Sequence, residues 1–330
     1  MQASAMAAGV LWPRIALVTP VRNSGKYLEA TIRSVLAQDY PNLDYFIVDG
    51  GSTDNSVEII RKYEDRISGW ISEPDEGMYD AINKGFARTS GEIMGWISAT
   101  DMLHTGGLKV VGSVFRDLPE VEWITGLPSE FNDNGMITRV TDDPPYWVRF
   151  RFLAGLNRYI MQEATYWRRS LWEKAGGYVD ASRRYSSDFE LWVRFFRHAK
   201  LYPVFGLIGG YRNHPDALGL QELELCHRIQ DEIIEKELKI APDGKKLQWL
   251  RLWSKRMRRF AGLRYLWWRL VECPLLYRRG PEWPELIGYI PKHGGWCLTT
   301  AQGEVLKVPN RKETSVYVDA VHDRQAVSGA

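Results

Sequence analysis

The feature that most constrains this chain is a unit repeated along residues 14–96: a β-branched run, an abrupt stop in small polar residues, then a helix-spaced segment. RIALVTP (14–20) stops at Pro20, and NSGKYLEATIRSVLAQ (23–38) follows with Leu28, Ile32, Val35 and Leu36 on one helical face. DYFIVDGGSTD (44–54) runs into a glycine-rich turn, where Asp54 is placed to cap NSVEIIRKY, with Glu58 in its first turns. GWISEPDEG, MYDAINKGFART and EIMGWI continue the pattern. Strands alternating with helices of this length predict an α/β fold with a doubly wound sheet. Such sheets bind ligands beyond the C-terminal ends of their strands.

After about residue 120 the pieces become shorter. EWITG, the hairpin-like LPSEFNDNGMITRV and ATYWRRSLWEKAGGY predict mixed strands and short helices. SDFELWVRFFRHA reads as a helix opened by Ser187 or Asp188, and LYPVFGLIGGYRNH as a further strand. From about 220 the sequence predicts helices only, in QELELCHRIQDEIIEKELKI and KKLQWLRLWSKRMRRFAGLRYLWWRLVE. The tail after about 303 is polar and expected to be loosely ordered.

Composition excludes several classes. A formal charge of +2 over 330 residues argues against a chain that binds nucleic acid along its whole surface. Cys226, Cys273 and Cys297 lie far apart without CxxC spacing, so neither a zinc ribbon nor a disulfide framework is indicated. No uncharged apolar run reaches the roughly 18–20 residues that span a bilayer. MQASAMAAG lacks the basic and apolar regions of a signal peptide. A cytoplasmic or peripheral protein is expected.

Four polar clusters fall where the sheet would gather its ligand: Thr19-Pro20-Val21-Arg22-Asn23, DGGSTD (49–54), EPDEGMYDAINKG (73–85) and SATD (98–101). Glycines permit close backbone approach, Asp49 offers an acceptor to a base or ribose, and helix N-termini favour phosphate. The spacing is not G-x-G-x-x-G, so the nicotinamide fingerprint is absent. Each cluster alone also reads as an ordinary turn with a helix cap.

TPVRNSGKYLEATIRSVLAQDYPNLDYFIVDGGSTDNS and SEPDEGMYDAINKGFARTSGEIMGWI closely resemble family 2 glycosyltransferases, which have a GT-A-type fold. The resemblance covers about residues 14–215. It implies a GT-A-type doubly wound mixed sheet over 14–218, with a Rossmann-like nucleotide-sugar half (14–101) and an acceptor half (102–218). A tail (1–13) precedes it, and a basic, Trp-rich helical extension (219–302) and the polar tail (303–330) follow. Carried over by position, Thr19, Pro20 and Arg22 flank the base and ribose, Asp49 contacts the base, and Asp75, Asn83 and Lys84 lie near the donor. Asp101 binds a divalent metal, Mg²⁺ or Mn²⁺, through the diphosphate. Family members often carry two adjacent acids here, whereas this chain has Thr100, which implies weakened metal dependence.

RRYSSDFELWVRF (183–195) matches the family segment that supplies the base of an inverting transfer. The resemblance gives that role to Asp188, with Glu190 as second candidate; Asp188 also reads as a helix cap. Arg212 and His214 of YRNHP correspond to a piece that meets diphosphate or acceptor. In MQEATYWRRS, Met161 stands where the family usually has His, so Gln162 alone is carried over. Trp96 and Trp167 read as core aromatics before sugar platforms. The expected reaction moves a sugar, typically from a UDP-sugar, to a glycan or lipid-linked acceptor in cell-envelope or exopolysaccharide assembly. A degenerate nucleotide-sugar binder is the alternative, and a nucleotidyltransferase lacks its Gly-rich loop.

Lys245–Arg279 holds eleven Lys/Arg and one acid, Glu272, with Trp249, Trp253, Trp267 and Trp268 among them. Leu250, Trp253, Met257 and Phe260 follow helical spacing, with Arg251, Lys255, Arg258 and Arg259 around them. Trp with Arg suits a lipid headgroup interface, so an anionic membrane surface at the inner face of the cell membrane is the expected partner. A helix docked on the catalytic domain remains the other reading, and no nucleic-acid motif accompanies the patch.

Overall fold

Period-two burial of the first strands builds the centre of the molecule. In the computed structural model, which describes residues 11–141, 147–215, 222–257, 285–300 and 304–309, Ile15 and Leu17 face one core and Ala16 and Val18 the other. A strand apolar on both faces must be covered on both faces, which is what a sheet flanked by helices provides.

The chain runs through β1 (Ile15–Val21), α1 (Leu28–Leu36), β2 (Leu43–Asp49), α2 (Ser56–Arg61), β3 (Gly69–Ser72), α3 (Met78–Phe86) and β4 (Ile93–Trp96). It continues through β5 (Met102–Leu103), α4 (Gly107–Asp117), β6 (Trp123–Thr125), β7 (Ser129–Phe131), β8 (Ile137–Val140) and α5 (Arg149–Leu153). A 3-10 turn at Gln162–Ala164 leads to β9 (Thr165–Arg168), α6 (Arg169–Lys174), α7 (Ser187–Phe195), β10 (Tyr202–Pro203) and β11 (Gly209–Arg212). After these come α8 (Leu223–Ile240), α9 (Gly244–Met257), β12 (Glu285–Ile290), β13 (Gly295–Thr300) and β14 (Val305–Lys307).

The main sheet has seven strands in the order β10-β6-β9-β4-β1-β2-β3. β4, β1, β2 and β3 are mutually parallel, while β9 runs antiparallel to both β4 and β6. The doubly wound, mixed sheet is therefore as expected. A second sheet, β5-β11-β7-β8, stands beside the strand ends, and the anticipated hairpin is β7–β8.

Trp96, Trp123, Trp167 and Trp192 are fully buried between this sheet and α7; Trp96 stacks on Trp192 with ring centroids 5.8 Å apart. Trp96 and Trp167 are core residues, not platforms for a sugar. Each such ring, if truncated to Ala, would cost about 3–5 kcal/mol.

The segment LYPVFGLIGGYRNH is two strands in different sheets, β10 and β11, separated by the Val204–Ile208 turn region, whose two ends are buried and whose Phe205 is exposed. The extension is also not helical throughout. α8 and α9 fit the expectation, but 285–300 forms the antiparallel pair β12–β13, to which β14 adds. The alternating ELIGYI and GWCLTT carry the period of strands, and β13 packs on α4 through Trp296, whose Nε1–H donates to Ser113 Oγ (2.8 Å). Among the described residues no helix is long and apolar enough to cross a membrane.

Candidate active site

Parallel pairing brings the strand C-termini to one level: Val21 lies opposite Asp49, and Asp49 opposite Ser72. The loops that follow are tied together there. Arg22 donates to the Gly50 carbonyl, the Asn23 N–H to Ser52 Oγ (2.8 Å), and the Gly25 N–H to Asp54 Oδ2 (2.9 Å). Asp54 Oδ1 also accepts the Ser56 N–H (3.0 Å) and so does start α2. Gly50 is glycine because Asp75 leans on it: a Cβ there would lie 2.2 Å from Asp75 Oδ2. Arg22, Gly50 and Asp75 thus form one polar rim.

Not every residue expected at the donor end reaches that rim. Thr19 and Pro20 are buried within β1, and Thr19 Oγ1 lies 3.1 Å from the Tyr45 hydroxyl. The buried Asp49 carboxylate accepts the N–H groups of Gly51 (3.1 Å) and Ser52 (3.0 Å) and the Ser72 hydroxyl (2.6 Å), so it organises its own turn. Asn83 spends its amide on Val179, donating to its carbonyl (2.7 Å) and accepting its N–H (2.8 Å). Lys84 pairs with Glu73 (3.2 Å) and Asp80 (3.1 Å), pinning the 73–76 loop to α3. In this structure these five are engaged with the protein's own backbone and side chains.

The SATD turn meets β11 at the centre. Asp101 is 2% exposed, and its Oδ1 accepts the Arg212 N–H (2.8 Å). The Arg212 side chain wraps the turn: Nε–H donates to the Thr100 carbonyl (2.6 Å), Nη1–H to the Asp133 carbonyl (3.0 Å), and the guanidinium stacks over the Tyr27 ring. Nη2 is buried with no hydrogen-bond partner. His214 lies against the same Tyr27 ring, centroids 4.9 Å apart. Tyr27 and Lys26 in turn grip the Asp133 carboxylate at the tip of the β7–β8 hairpin, Lys26 Nζ at 2.9 Å. Burial pushes the Asp101 carboxyl up to about 7, against the hydrogen bonds from the Arg212 N–H and Ser98.

The opposite wall is α7. Asp188 sits in its first turn, partly buried, with the Tyr79 hydroxyl donating from α3 at 3.4 Å. Burial raises its carboxyl above the ordinary range, and the N–H groups of the helix start and Tyr79 offset part of that. Asp188 is not the cap of its helix: the N-cap position is Ser186, and Asp188 is the second helical residue. Glu190, one turn along the same helix, pairs with Arg194, whose other donors hold the Ala175 and Tyr178 carbonyls.

Within electrostatic reach of both Asp101 and Asp188 lies Glu163, a residue not among the expected site residues. It is 3% exposed, and its Oε1 has no hydrogen-bond partner. Burial and the nearby Asp101 and Asp188 carboxylates hold it well above the usual carboxylate range. Gln162 beside it donates to Ser98 Oγ (3.4 Å) and leaves its own Oε1 unpartnered. Only the position of a Glu after Gln162 hinted at this in the sequence. The site therefore unites Asp101, Arg212, Gln162, Glu163 and Asp188 with the Arg22–Asp75 rim.

The oxygen-rich surroundings of Asp101 suit a hard divalent cation. Among the described residues no group of three or more His, Cys, Asp or Glu could hold one alone, so the remaining oxygens would come from ligand and water.

The doubly wound mixed sheet defines the class: a GT-A-type fold, which S. aureus TarS 1–349 shares at a TM-score of 0.55 and 17% identity, over 78% of this chain and 75% of that one. Residues 16–163 match the model of glycosyl transferase family 2. An uncharacterized glycosyltransferase of Mycobacterium tuberculosis is 33% identical over 172 residues, half of this chain and 63% of that protein. The putative teichuronic acid biosynthesis glycosyltransferase TuaG of Bacillus subtilis is 34% identical over 92 residues, 27% of this chain and 36% of TuaG. The chain thus spans less than two thirds of the length of either relative.

Proposed function

We propose that the chain transfers a glycosyl unit from a nucleotide-sugar, of the uridine diphosphate type, to a hydroxyl of a glycan or lipid-linked acceptor, inverting the anomeric carbon. The observation that carries this reading is the pair of strand-end Asp101, which accepts the Arg212 N–H, and helix-start Asp188, which accepts from the Tyr79 hydroxyl, both within electrostatic reach of Glu163. Asp188 takes the proton of the acceptor hydroxyl as its oxygen bonds to the anomeric carbon and the bond to the diphosphate breaks. Arg212 Nη2–H supplies a charged donor to the departing phosphate oxygens. Mg²⁺ or Mn²⁺, held by Asp101, would neutralise further negative charge there. TarS has been crystallised with UDP and with UDP-GlcNAc, and TuaG is named for a cell-wall polymer; both support the donor class and a cell-envelope setting.

Asp188→Asn is expected to abolish transfer while leaving nucleotide-sugar binding intact. Undiminished transfer by that variant would remove the base assignment. Thr100, in place of a second acid, favours a second reading as a non-catalytic nucleotide-sugar binder. Binding without any turnover by the unaltered protein, with Mg²⁺ or Mn²⁺ present, would select it.

Attachment to an anionic membrane surface at the cytoplasmic side is the setting that fits α9. Lys245, Trp249, Leu252 and Arg256 follow one another at helical spacing and are exposed, Trp249 by 52% and Leu252 by 58%. Leu247, Leu250, Arg251 and Ser254 face inward instead, with Arg251 bonded to Asp231. The apolar face open to a lipid is therefore Trp249–Leu252, not Leu250; Phe260 and the basic residues 258–279 lie outside the described residues. Retention by vesicles containing anionic lipid at low salt, and its loss in Trp249→Ala/Leu252→Ala, is the expected result.

A further inference from the structure

Three buried polar atoms around Asp101 have no partner in the protein: Arg212 Nη2, Gln162 Oε1 and Glu163 Oε1. A buried polar group left without a partner costs free energy, so a cluster of them marks a place where a ligand completes the bonding. Their chemistry divides cleanly. The guanidinium is a donor suited to a phosphate oxygen, whereas the amide and carboxyl oxygens are acceptors that require an O–H. Each acceptor suits a sugar hydroxyl, which has the O–H to donate.

The backbone of the turn is held in place: the Glu163 carbonyl packs so closely on β11 that a Cβ at Gly209 would lie 2.1 Å from the oxygen. Gln162 is fixed on its other side by Ser98 of the SATD turn. The Glu163 carboxyl also lies within electrostatic reach of both Asp101 and Asp188, that is, of both walls of the site.

We infer that Glu163, with Gln162, is the sugar-reading edge of the site, its Oε1 accepting a hydrogen bond from a sugar hydroxyl. This makes it a specificity-determining residue distinct from the base, and it rests on the glycosyl-transfer reading above. The hydroxyl belongs either to the donor sugar or to the acceptor, and the chemistry is the same for both.

The test uses the full chain, with UDP alone, a panel of UDP-glucose, UDP-galactose, UDP-GlcNAc and UDP-glucuronic acid, and methyl glycosides as acceptors. Affinities for UDP and the UDP-sugars, and KM and kcat for transfer, are measured for the unaltered protein, Glu163→Ala, Glu163→Gln and Gln162→Ala. In Glu163→Ala, UDP affinity is expected to stay within about twofold. Either the affinity for the preferred UDP-sugar falls about tenfold, assigning the hydroxyl to the donor, or the acceptor KM rises about tenfold, assigning it to the acceptor; a tenfold change is about 1.4 kcal/mol. Glu163→Gln, which keeps an oxygen in place, is expected to recover most of the loss.

Unchanged UDP-sugar affinity and acceptor KM in Glu163→Ala would overturn the inference. So would UDP affinity falling in step with UDP-sugar affinity, or Glu163→Gln lowering kcat alone. If Glu163→Ala does not fold, Gln162→Ala decides by the same readouts. Failure of the unaltered protein to bind any UDP-sugar would remove the donor reading itself, a result separate from any effect of the variants.

Discussion

Tyr79 is the residue whose removal reports most directly on the proposed base. Its hydroxyl donates to Asp188 and so favours the charged carboxylate, against the burial that raises it. Tyr79→Phe takes that donor away, and the Asp188 carboxyl moves further up. Because the base must be ionised, the acid limb of the kcat/KM profile is expected to shift to higher pH, with activity at high pH retained. An acid limb that stays in place would separate Tyr79 from the base. The stability effect has the opposite sense: a carboxyl raised in the folded state favours folding in acid, and that contribution fades as pH rises through its raised value.

At this scale the sequence and the structure part company in an informative way. The places of Asp101 and Asp188 in the fold were legible because a strand end and a helix start fix where such residues stand. The partner of Asn83 was not, because Val179 lies 96 positions away. Lys84 and Glu190 pair with Asp80 and Arg194 on their own helices, at a spacing the sequence does show. Glu163 was not legible because its burial comes from elements distant along the chain.

Among the elements, the contact of the 3-10 turn with β11 is the tightest in the site. Gly209→Ala would drive a methyl group into the Glu163 carbonyl, where neither backbone can yield freely. Overpacking of this kind costs about 1–3 kcal/mol. A thermal melt should show a loss of several degrees, and transfer should fall with it. A variant as stable as the unaltered protein would mean that the turn has room to move. The parallel core β1–β4 was read with nearly correct bounds, since its apolar runs and glycine turns are local signals. Strands of two or three residues, such as β5 and β10, carry no period of their own and exist through their neighbours.

For the whole molecule, the β12–β13–β14 sheet was missed because a basic helical pattern precedes it and its two longer strands have only six residues each. It is docked on the main domain by Trp296, whose N–H donates to Asp117 Oδ2 (3.2 Å) and whose ring reaches Ser113. Trp296→Ala is expected to lower stability by about 3–5 kcal/mol, measured by denaturant unfolding. A loss below about 1 kcal/mol would show that the sheet is only loosely attached.

That docking has a consequence for solubility. β10 is the last strand of the seven-stranded sheet, and a strand in that position offers unpaired backbone groups to any neighbour. β12 occupies that flank: Val204, just past β10, bridges Ile287, and the Phe205 N–H donates to the Ile287 carbonyl (2.9 Å). The late sheet is thus a seal on an otherwise sticky border. A chain ending at residue 284 should self-associate through β10, seen as a larger species in size-exclusion chromatography.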